Sequence, residues 1–154
     1  MKVPDKLIPL NKWAAYKALL PEKSQKSHII IIFYRNEAEI KYFYVTSQLE
    51  KAKIRYRNDR LALVQIDKAE GSKVLAKNKS CIKCGKGHLK SIDIEKIKQL
   101  YNEGEFYYIG DIPECIRQKI KNAVNLSITY TIVEQSMFIF ESMFICESMF
   151  ICDK

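Results

Sequence analysis

The feature that most constrains the fold is a run of apolar residues followed at once by an alternating segment. The run HIIIIFYR (28–35) consists largely of β-branched and aromatic residues, a composition typical of a strand buried on both faces. Residues 36–39 can turn the chain. In EIKYFYVTS (39–47) successive side chains belong to opposite faces, so Tyr44 and Thr46 share one face. The sequence therefore predicts an antiparallel hairpin.

Shorter segments on either side of the hairpin predict a single α+β domain over residues 1–127. Asn11, Asp93 and Asp111 each precede a segment with helical character and can cap it. Gly104 is a plausible stop for the second of these helices. Helices are predicted over 11–20, 93–104 and 111–124, and further strands over 61–67, 73–76, 88–92 and 105–110.

The C-terminal segment has a different character from the rest of the chain. From Ser136 a six-residue unit, SMFI followed by Phe or Cys and an acidic residue, occurs three times. A helix would rotate this pattern by about 240° per unit, so no apolar helical face would persist. We interpret 128–154 as an apolar tail outside the domain, added by tandem expansion. The alternative is a strand that pairs with a second copy of the chain or touches a membrane.

The balance of charge favours a polyanionic partner. The 154 residues include 26 Lys and Arg against 18 Asp and Glu, a net charge of +8, which raises the local concentration of RNA, DNA or anionic lipid. The alternative is a lysine-rich surface that only maintains solubility. Residues 1–20 show no secretory signal, and no stretch of 18 apolar residues occurs. We therefore expect a cytoplasmic protein without a membrane partner.

The cysteine-containing segment CIKCGKGH (81–88) suggests a possible metal site. Two cysteines separated by two residues can hold one tetrahedral zinc ion, and His88 could be a third ligand. Cys115 could be the fourth ligand if its helix folds back. The sequence has no second pair of cysteines or histidines at a zinc-binding spacing. The favoured interpretation is therefore that Cys81 and Cys84 are reduced thiols beside a turn.

A cationic row follows the alternating strand. Tyr56 lies within the row and could stack on a base, and Thr46 and Ser47 immediately upstream could donate hydrogen bonds to phosphate. The alternative is a solvated loop or a charged edge strand. If the segment were extended, its alternate side chains would point the same way and could follow a phosphate backbone. The cations are Lys51, Lys53, Arg55, Arg57 and Arg60.

The segment KYFYVTSQLEK (41–51) resembles the PemK/MazF-like toxins and the related ToxN-type toxins. The resemblance lies in a strand that ends in Thr46-Ser47 and a lysine-bearing loop after it, and it extends over about residues 27–126. It implies a small antiparallel SH3-like β-barrel with helices packed outside. It also implies a metal-independent endoribonuclease that is neutralised by a protein or RNA antitoxin.

The resemblance further implies a mechanism in which the RNA 2′-hydroxyl is the nucleophile and a cyclic phosphate is the product. Thr46 and Ser47 would then hold the scissile phosphate, Lys51 would be the loop cation, and Arg55 or Arg57 would stabilise charge. The family carries an Arg-Pro pair where this chain has Ser27-His28. His28 is therefore expected to be the general base, or else the site is inactive.

Three other hypotheses remain open from the sequence. A nucleic-acid-binding module without catalysis would use the same cationic row and would bind in a salt-sensitive manner. A structural zinc protein would use the four ligands named above. A remnant of a mobile element would have a degraded site and an expanded tail. His28 and His88 could also be purely structural residues.

Overall fold

The computed structural model describes residues 10–21, 26–67, 79–136 and 138. Within these residues the chain forms seven strands and four α-helices, together with one-turn 3-10 helices at Arg60–Ala62 and Lys86–His88. In chain order the elements are β1 (Ala14–Ala18), β2 (His28–Arg35), β3 (Glu39–Thr46), α1 (Leu49–Arg55), β4 (Leu63–Asp67), β5 (Lys79–Lys83), β6 (Lys90–Asp93), α2 (Ile94–Asn102), β7 (Phe106–Asp111), α3 (Glu114–Leu126) and α4 (132–136).

The seven strands form one antiparallel sheet in the order β4-β5-β3-β2-β1-β7. Strand β3 has two neighbours on one side, because its last residues pair with β5 and its first residues pair with β6. The α+β class is confirmed. The described strands do not close into the SH3-like barrel predicted from the resemblance, since β4 and β7 lie at opposite ends of the strand order.

The predicted hairpin is confirmed as β2 and β3. Ile31 lies opposite Phe43, and the pairing continues on both sides of this pair. At the turn, the Asn36 side-chain oxygen accepts hydrogen bonds from the backbone N–H groups of Ala38 and Glu39, at 2.8 and 2.9 Å. This side chain satisfies backbone donors that the strands leave unpaired, so a local feature of the sequence fixes the connection.

The helix predicted over 11–20 is wrong, because the segment contains β1. Strand β1 pairs with β2 on one side and β7 on the other, and Ala15 and Tyr16 are completely buried. Asn11 does not cap a helix; its carbonyl accepts the Ala14 N–H in a turn in which Trp13 has a φ of 74°. Pairing on both sides supplies the hydrogen bonds that a helix would have made.

The two helices predicted in the C-terminal half are confirmed with shifted ends. Helix α2 begins after Asp93 and is followed by Gly104, whose φ of 77° suits a residue without a side chain. Helix α3 begins after Pro113, and Asp111 instead ends β7. Neither helix has a side-chain capping hydrogen bond. The strand predicted over 73–76 lies outside the described residues, and the one predicted over 88–92 is β6, which begins at Lys90.

Two cores lie on opposite faces of the sheet, so the central strand β2 is buried on both faces as its composition predicts. Successive residues of β2 contribute to different cores: Ile31 belongs to the core that includes α3, and Ile30 belongs to the core that includes α2. The α3 core contains Phe33, Phe43, Val45, Val64, Ile66, Ile82, Ile116, Ile120 and Val124. The α2 core contains Tyr16, Ile32, Ile40, Tyr42, Ile97, Leu100 and Phe106.

The α3 core continues past residue 127, where the domain was predicted to end. Tyr130 and Phe138 belong to this core, and the Phe138 ring lies 5.2 Å from the Phe33 ring between centroids. The repeats beyond residue 138 lie outside the described residues. Among the described helices, none is long and apolar enough to cross a membrane.

Candidate active site

One end of the sheet carries a cavity of about 450 Å³ lined by imidazole, hydroxyl and cationic side chains. Strands β2, β3, β5 and β6, helix α1 and the turn after β5 all contribute to it. None of the described lining residues is acidic, so the cavity is suited to an anionic ligand. The lining residues are His28, Tyr44, Val45, Thr46, Gln48, Arg55, Lys83, His88 and Lys90.

Strand register explains why these side chains meet. Val45 of β3 pairs with Ile29 of β2 and with Ile82 of β5. His28 precedes Ile29 and so lies at the level of Thr46, whereas Lys83 follows Ile82 and so lies at the level of Tyr44. The pairing of Lys90 with Tyr42 brings a second lysine from β6.

The alternation along β3 then places the polar groups on one face. Tyr44 packs on the α2 core, and Thr46, two residues further, belongs to the same face. The ring of His28 meets the ring of Tyr44 edge-on, with centroids 5.6 Å apart. The Thr46 hydroxyl oxygen accepts the Gln48 N–H at 3.1 Å, which fixes the hydroxyl where the strand ends. The cavity therefore begins where the apolar part of this face stops.

Among the residues predicted for the site, His28, Thr46 and Arg55 line this cavity together. Ser47 and Lys51 do not. They line a second pocket of about 360 Å³ at the start of α1, and Gln48 lines both this pocket and the cavity. Strand β3 ends at Thr46, and the chain then turns into α1. The side chain of Ser47 therefore does not lie on the face that carries Thr46.

The segment that carries the cations is not extended, because residues 49–55 form α1. Alternate residues on a helix lie about 200° apart around its axis, so the three alternating cations of α1, Lys51, Lys53 and Arg55, cannot form one line. Arg55 reaches the cavity, whereas Lys53 pairs with Glu50 at 3.7 Å. Arg57 and Arg60 are exposed and do not line the cavity.

Tyr56 is buried and does not present its ring for base stacking, contrary to the prediction. Its side chain is 5% exposed. Its hydroxyl oxygen accepts the Gly85 N–H at 2.9 Å and lies 2.6 Å from Nδ1 of His88. Burial raises the pKa of Tyr56 well above its usual range, so the phenol keeps its proton at all physiological pH values.

The four residues of the zinc hypothesis are not brought together. Cys81 and Cys84 are buried, and Cys115 is exposed on α3. Cys84 belongs to the α3 core and its carbonyl accepts the Tyr130 hydroxyl at 2.7 Å, while His88 contacts Tyr56. In the described part of the chain, no group of three or more His, Cys, Asp or Glu side chains could hold a metal ion.

The cysteines provide a test of this arrangement. Burial raises the pKa of the Cys84 thiol well above its usual value and raises that of Cys81 as well, so little thiolate is present near pH 8. We expect iodoacetamide to modify Cys115 at least about tenfold faster than either buried cysteine in the folded protein. Mass spectrometry of each peptide measures the rates, and unfolding in urea should remove the difference. Equal rates in the folded protein would contradict the burial.

Sequence reasoning missed Lys83, Lys90, Gln48 and Tyr44, and assigned His88 to a metal site. The alternation of β3 placed Tyr44 on the face of Thr46 and so carried a usable signal. Lys83 and Lys90 carried none, because their positions depend on pairing of β3 with β5 and β6, which are distant in sequence.

No protein-family model matches the chain, and no curated protein has detectable sequence similarity to it. The chemistry of the cavity is therefore the basis on which a function can be assigned.

Proposed function

We propose that the cavity binds a phosphodiester of RNA and cleaves it by attack of the adjacent 2′-hydroxyl on phosphorus. The observation that carries the proposal is that an imidazole, a hydroxyl, one arginine and two lysines line one cavity of about 450 Å³. This volume falls in the range of small-ligand sites and can accept a nucleotide segment. The net charge of +8 favours a polyanionic ligand.

Each step of the reaction has a group available in the cavity. His28 takes the proton of the 2′-hydroxyl as the 2′-oxygen forms its bond to phosphorus. Thr46 and Arg55 hold the non-bridging oxygens, and the guanidinium can do so with two parallel hydrogen bonds. The bond from phosphorus to the 5′-oxygen breaks, and the leaving oxygen receives a proton from the ammonium of Lys83 or Lys90. The product is a 2′,3′-cyclic phosphate and a free 5′-hydroxyl.

The charge that develops on the phosphate can be stabilised by side chains alone. Arg55, Lys83 and Lys90 come from three different elements, so they can surround a phosphate instead of meeting it from one side. We therefore propose a reaction that requires no metal ion. Lys51, Arg57 and Arg60 are exposed and would contact flanking phosphates.

The resemblance to PemK/MazF-like and ToxN-type toxins supports the same chemistry. On that basis we propose a cytoplasmic, toxin-like endoribonuclease neutralised by a protein or RNA antitoxin. The family's SH3-like barrel would then be represented here by an open form of the sheet, with β4 and β7 at its edges.

Cleavage of single-stranded RNA in excess chelator tests the proposal. We expect cleavage to persist in chelator, to yield cyclic phosphate ends, and to fail on the same strand with 2′-deoxynucleotides. Arg55→Ala should lower the rate by about 100-fold, because it removes a charge that contacts the phosphate. Lys53→Ala is the matched control, because it removes the same charge from the same helix outside the cavity. It should change the rate by less than about threefold.

Two outcomes would contradict the proposal. Salt-sensitive RNA binding without cleavage would favour the non-catalytic nucleic-acid-binding module. Equal losses for Arg55→Ala and Lys53→Ala would mean that the charges act through general attraction and that the cavity has no special role.

A further inference from the structure

A chain of hydrogen bonds runs from the turn after β5 through a buried tyrosine to the cavity. The Gly85 N–H donates to the Tyr56 hydroxyl oxygen at 2.9 Å, and that oxygen lies 2.6 Å from Nδ1 of His88. His88 lines the cavity, whereas Tyr56 lies behind it and is 5% exposed. The Nδ1 edge of the imidazole is therefore occupied by the protein interior.

The close approach of the tyrosine depends on Gly85. A Cβ atom at this position would lie 2.8 Å from the Tyr56 hydroxyl oxygen, well inside contact distance. Gly85 is itself buried, and its φ of −67° is one that any residue can adopt. The glycine therefore provides space for the hydroxyl and does not provide backbone freedom. The turn that carries His88 can make this hydrogen bond because Gly85 has no side chain.

The hydrogen bonds of the Tyr56 hydroxyl indicate which ring nitrogen of His88 carries a hydrogen. The phenol has one hydrogen, and its oxygen already accepts the Gly85 N–H. A buried O–H group without an acceptor is costly, and Nδ1 of His88 is the acceptor at 2.6 Å. Tyr56 therefore donates to Nδ1, and a neutral imidazole that accepts at Nδ1 carries its hydrogen on Nε2.

The charges around His88 favour the same neutral form. Helix α1 contributes Arg55, β5 contributes Lys83, β6 contributes Lys90, and β2 contributes His28 to the same cavity. Each positive charge opposes a second proton on His88. None of the described residues that line the cavity is acidic, and Asp59, which follows α1 in the sequence, accepts the Ser127 hydroxyl at 2.6 Å.

We propose that Tyr56 is a positioning residue that holds His88 as a neutral donor, with its Nε2–H directed at a non-bridging oxygen of the bound phosphodiester. This inference rests on the proposed function. It gives different roles to the two histidines of the cavity. His28 moves a proton, and His88 binds the phosphate without exchanging one. Unlike an imidazolium, a neutral donor of this kind keeps its hydrogen bond as the pH rises.

The form of the imidazole can be measured without any RNA. The chain contains two histidines, so imidazole 15N spectra of the full chain give two ring systems, and His88→Gln assigns them. We expect His88 to carry hydrogen on Nε2 and to keep that form between pH 6 and 8. Tyr56→Phe and Gly85→Ala should each allow tautomer exchange and titration. A wild-type His88 with hydrogen on Nδ1, or one that titrates in this interval, would overturn the inference.

The donor role is tested by two substitutions at one position. His88→Gln keeps an N–H donor but cannot transfer a proton, and we expect it to retain RNA cleavage within about tenfold. His88→Ala removes the donor and should lower cleavage by roughly 100-fold. Equal losses in the two variants would show proton transfer by His88 and would overturn the inference. Thermal unfolding of both variants verifies that they fold.

Failure of the proposed function would be visible separately. If wild-type protein cleaves no RNA, the 15N spectra still decide the tautomer. Binding of a 2′-O-methyl RNA strand then decides the donor role. The donor role predicts binding by His88→Gln close to wild type and binding by His88→Ala about tenfold weaker, and equal binding would overturn it.

Discussion

His28→Ala is expected to lower the rate of RNA cleavage by roughly 10²- to 10⁴-fold, the usual range for loss of a general base. His28 is the imidazole of the cavity that comes from β2, and it lies next to Tyr44 at the end of the paired strands. Binding of a 2′-O-methyl RNA strand should change by less than about threefold, because a neutral imidazole contributes little to the general attraction of phosphates. Single-turnover kinetics and binding measurements on the same preparations separate the two effects.

The dependence of this loss on pH gives a second readout. A general base must be unprotonated, so the wild-type rate should rise with pH and then level off. In His28→Ala that rise should disappear, and free imidazole added to the variant should restore part of the rate. If His28→Ala cleaves RNA as fast as wild type, the proton acceptor is another group and the assignment from Ser27-His28 is wrong.

The sequence revealed most about the parts of the molecule that local pattern determines. The β2–β3 hairpin follows from one apolar run, one alternating segment and one asparagine turn. The helices α2 and α3 follow from apolar residues at helical spacing. His28 and Thr46 could be predicted for one site for the same reason, since both belong to the hairpin.

The segment 11–20 shows where local pattern fails. Its alanines, leucines and lysines favour a helix by intrinsic propensity. Ala14–Ala18 nevertheless pairs with β2 and β7, and β7 lies about 90 residues further along the chain. Burial between two strands outweighs a preference of a few tenths of a kcal/mol per residue. No short window of sequence contains that information.

The same reason explains what was missed at the cavity. Lys83 and Lys90 reach it through pairing with β3, and Tyr56 is removed from solvent by its contact with the turn at Gly85. In the sequence Tyr56 is surrounded by cations and has the appearance of a surface aromatic residue. Its burial depends on where α1 packs, which the run of charges does not encode.

The C-terminal segment connects the α3 core to the turn that carries His88. The Tyr130 hydroxyl donates to the Cys84 carbonyl at 2.7 Å, and the Lys86 N–H donates to the Thr129 hydroxyl oxygen at 2.9 Å. An ion pair of 2.8 Å joins Lys86 to Glu134, a half-buried residue, and lowers the pKa of its carboxyl. These contacts explain why residues predicted to form a separate tail help to hold the cavity.

Phe138→Ala is accordingly expected to lower the free energy of unfolding by about 3–5 kcal/mol, the usual cost of removing a buried phenylalanine side chain. Phe138 is 4% exposed, and its ring lies within 6.2 Å of the rings of Phe33, Tyr34 and Tyr130. Val133→Ala is the matched control in the same segment, because Val133 is 78% exposed, and its cost should stay below about 0.5 kcal/mol. Denaturant unfolding measures both.

The comparison between these two variants decides where the folded domain ends. If residues after 127 were an appendage, Phe138→Ala and Val133→Ala would cost equally little, and the contacts with Phe33 and Tyr130 would contribute nothing to stability. A large cost for Phe138→Ala alone means that part of the C-terminal segment belongs to the α3 core. Such a loss should also weaken the support for the turn at 84–88, since Tyr130 contacts both Phe138 and Cys84. RNA cleavage by Phe138→Ala should then fall at temperatures at which the variant is still largely folded.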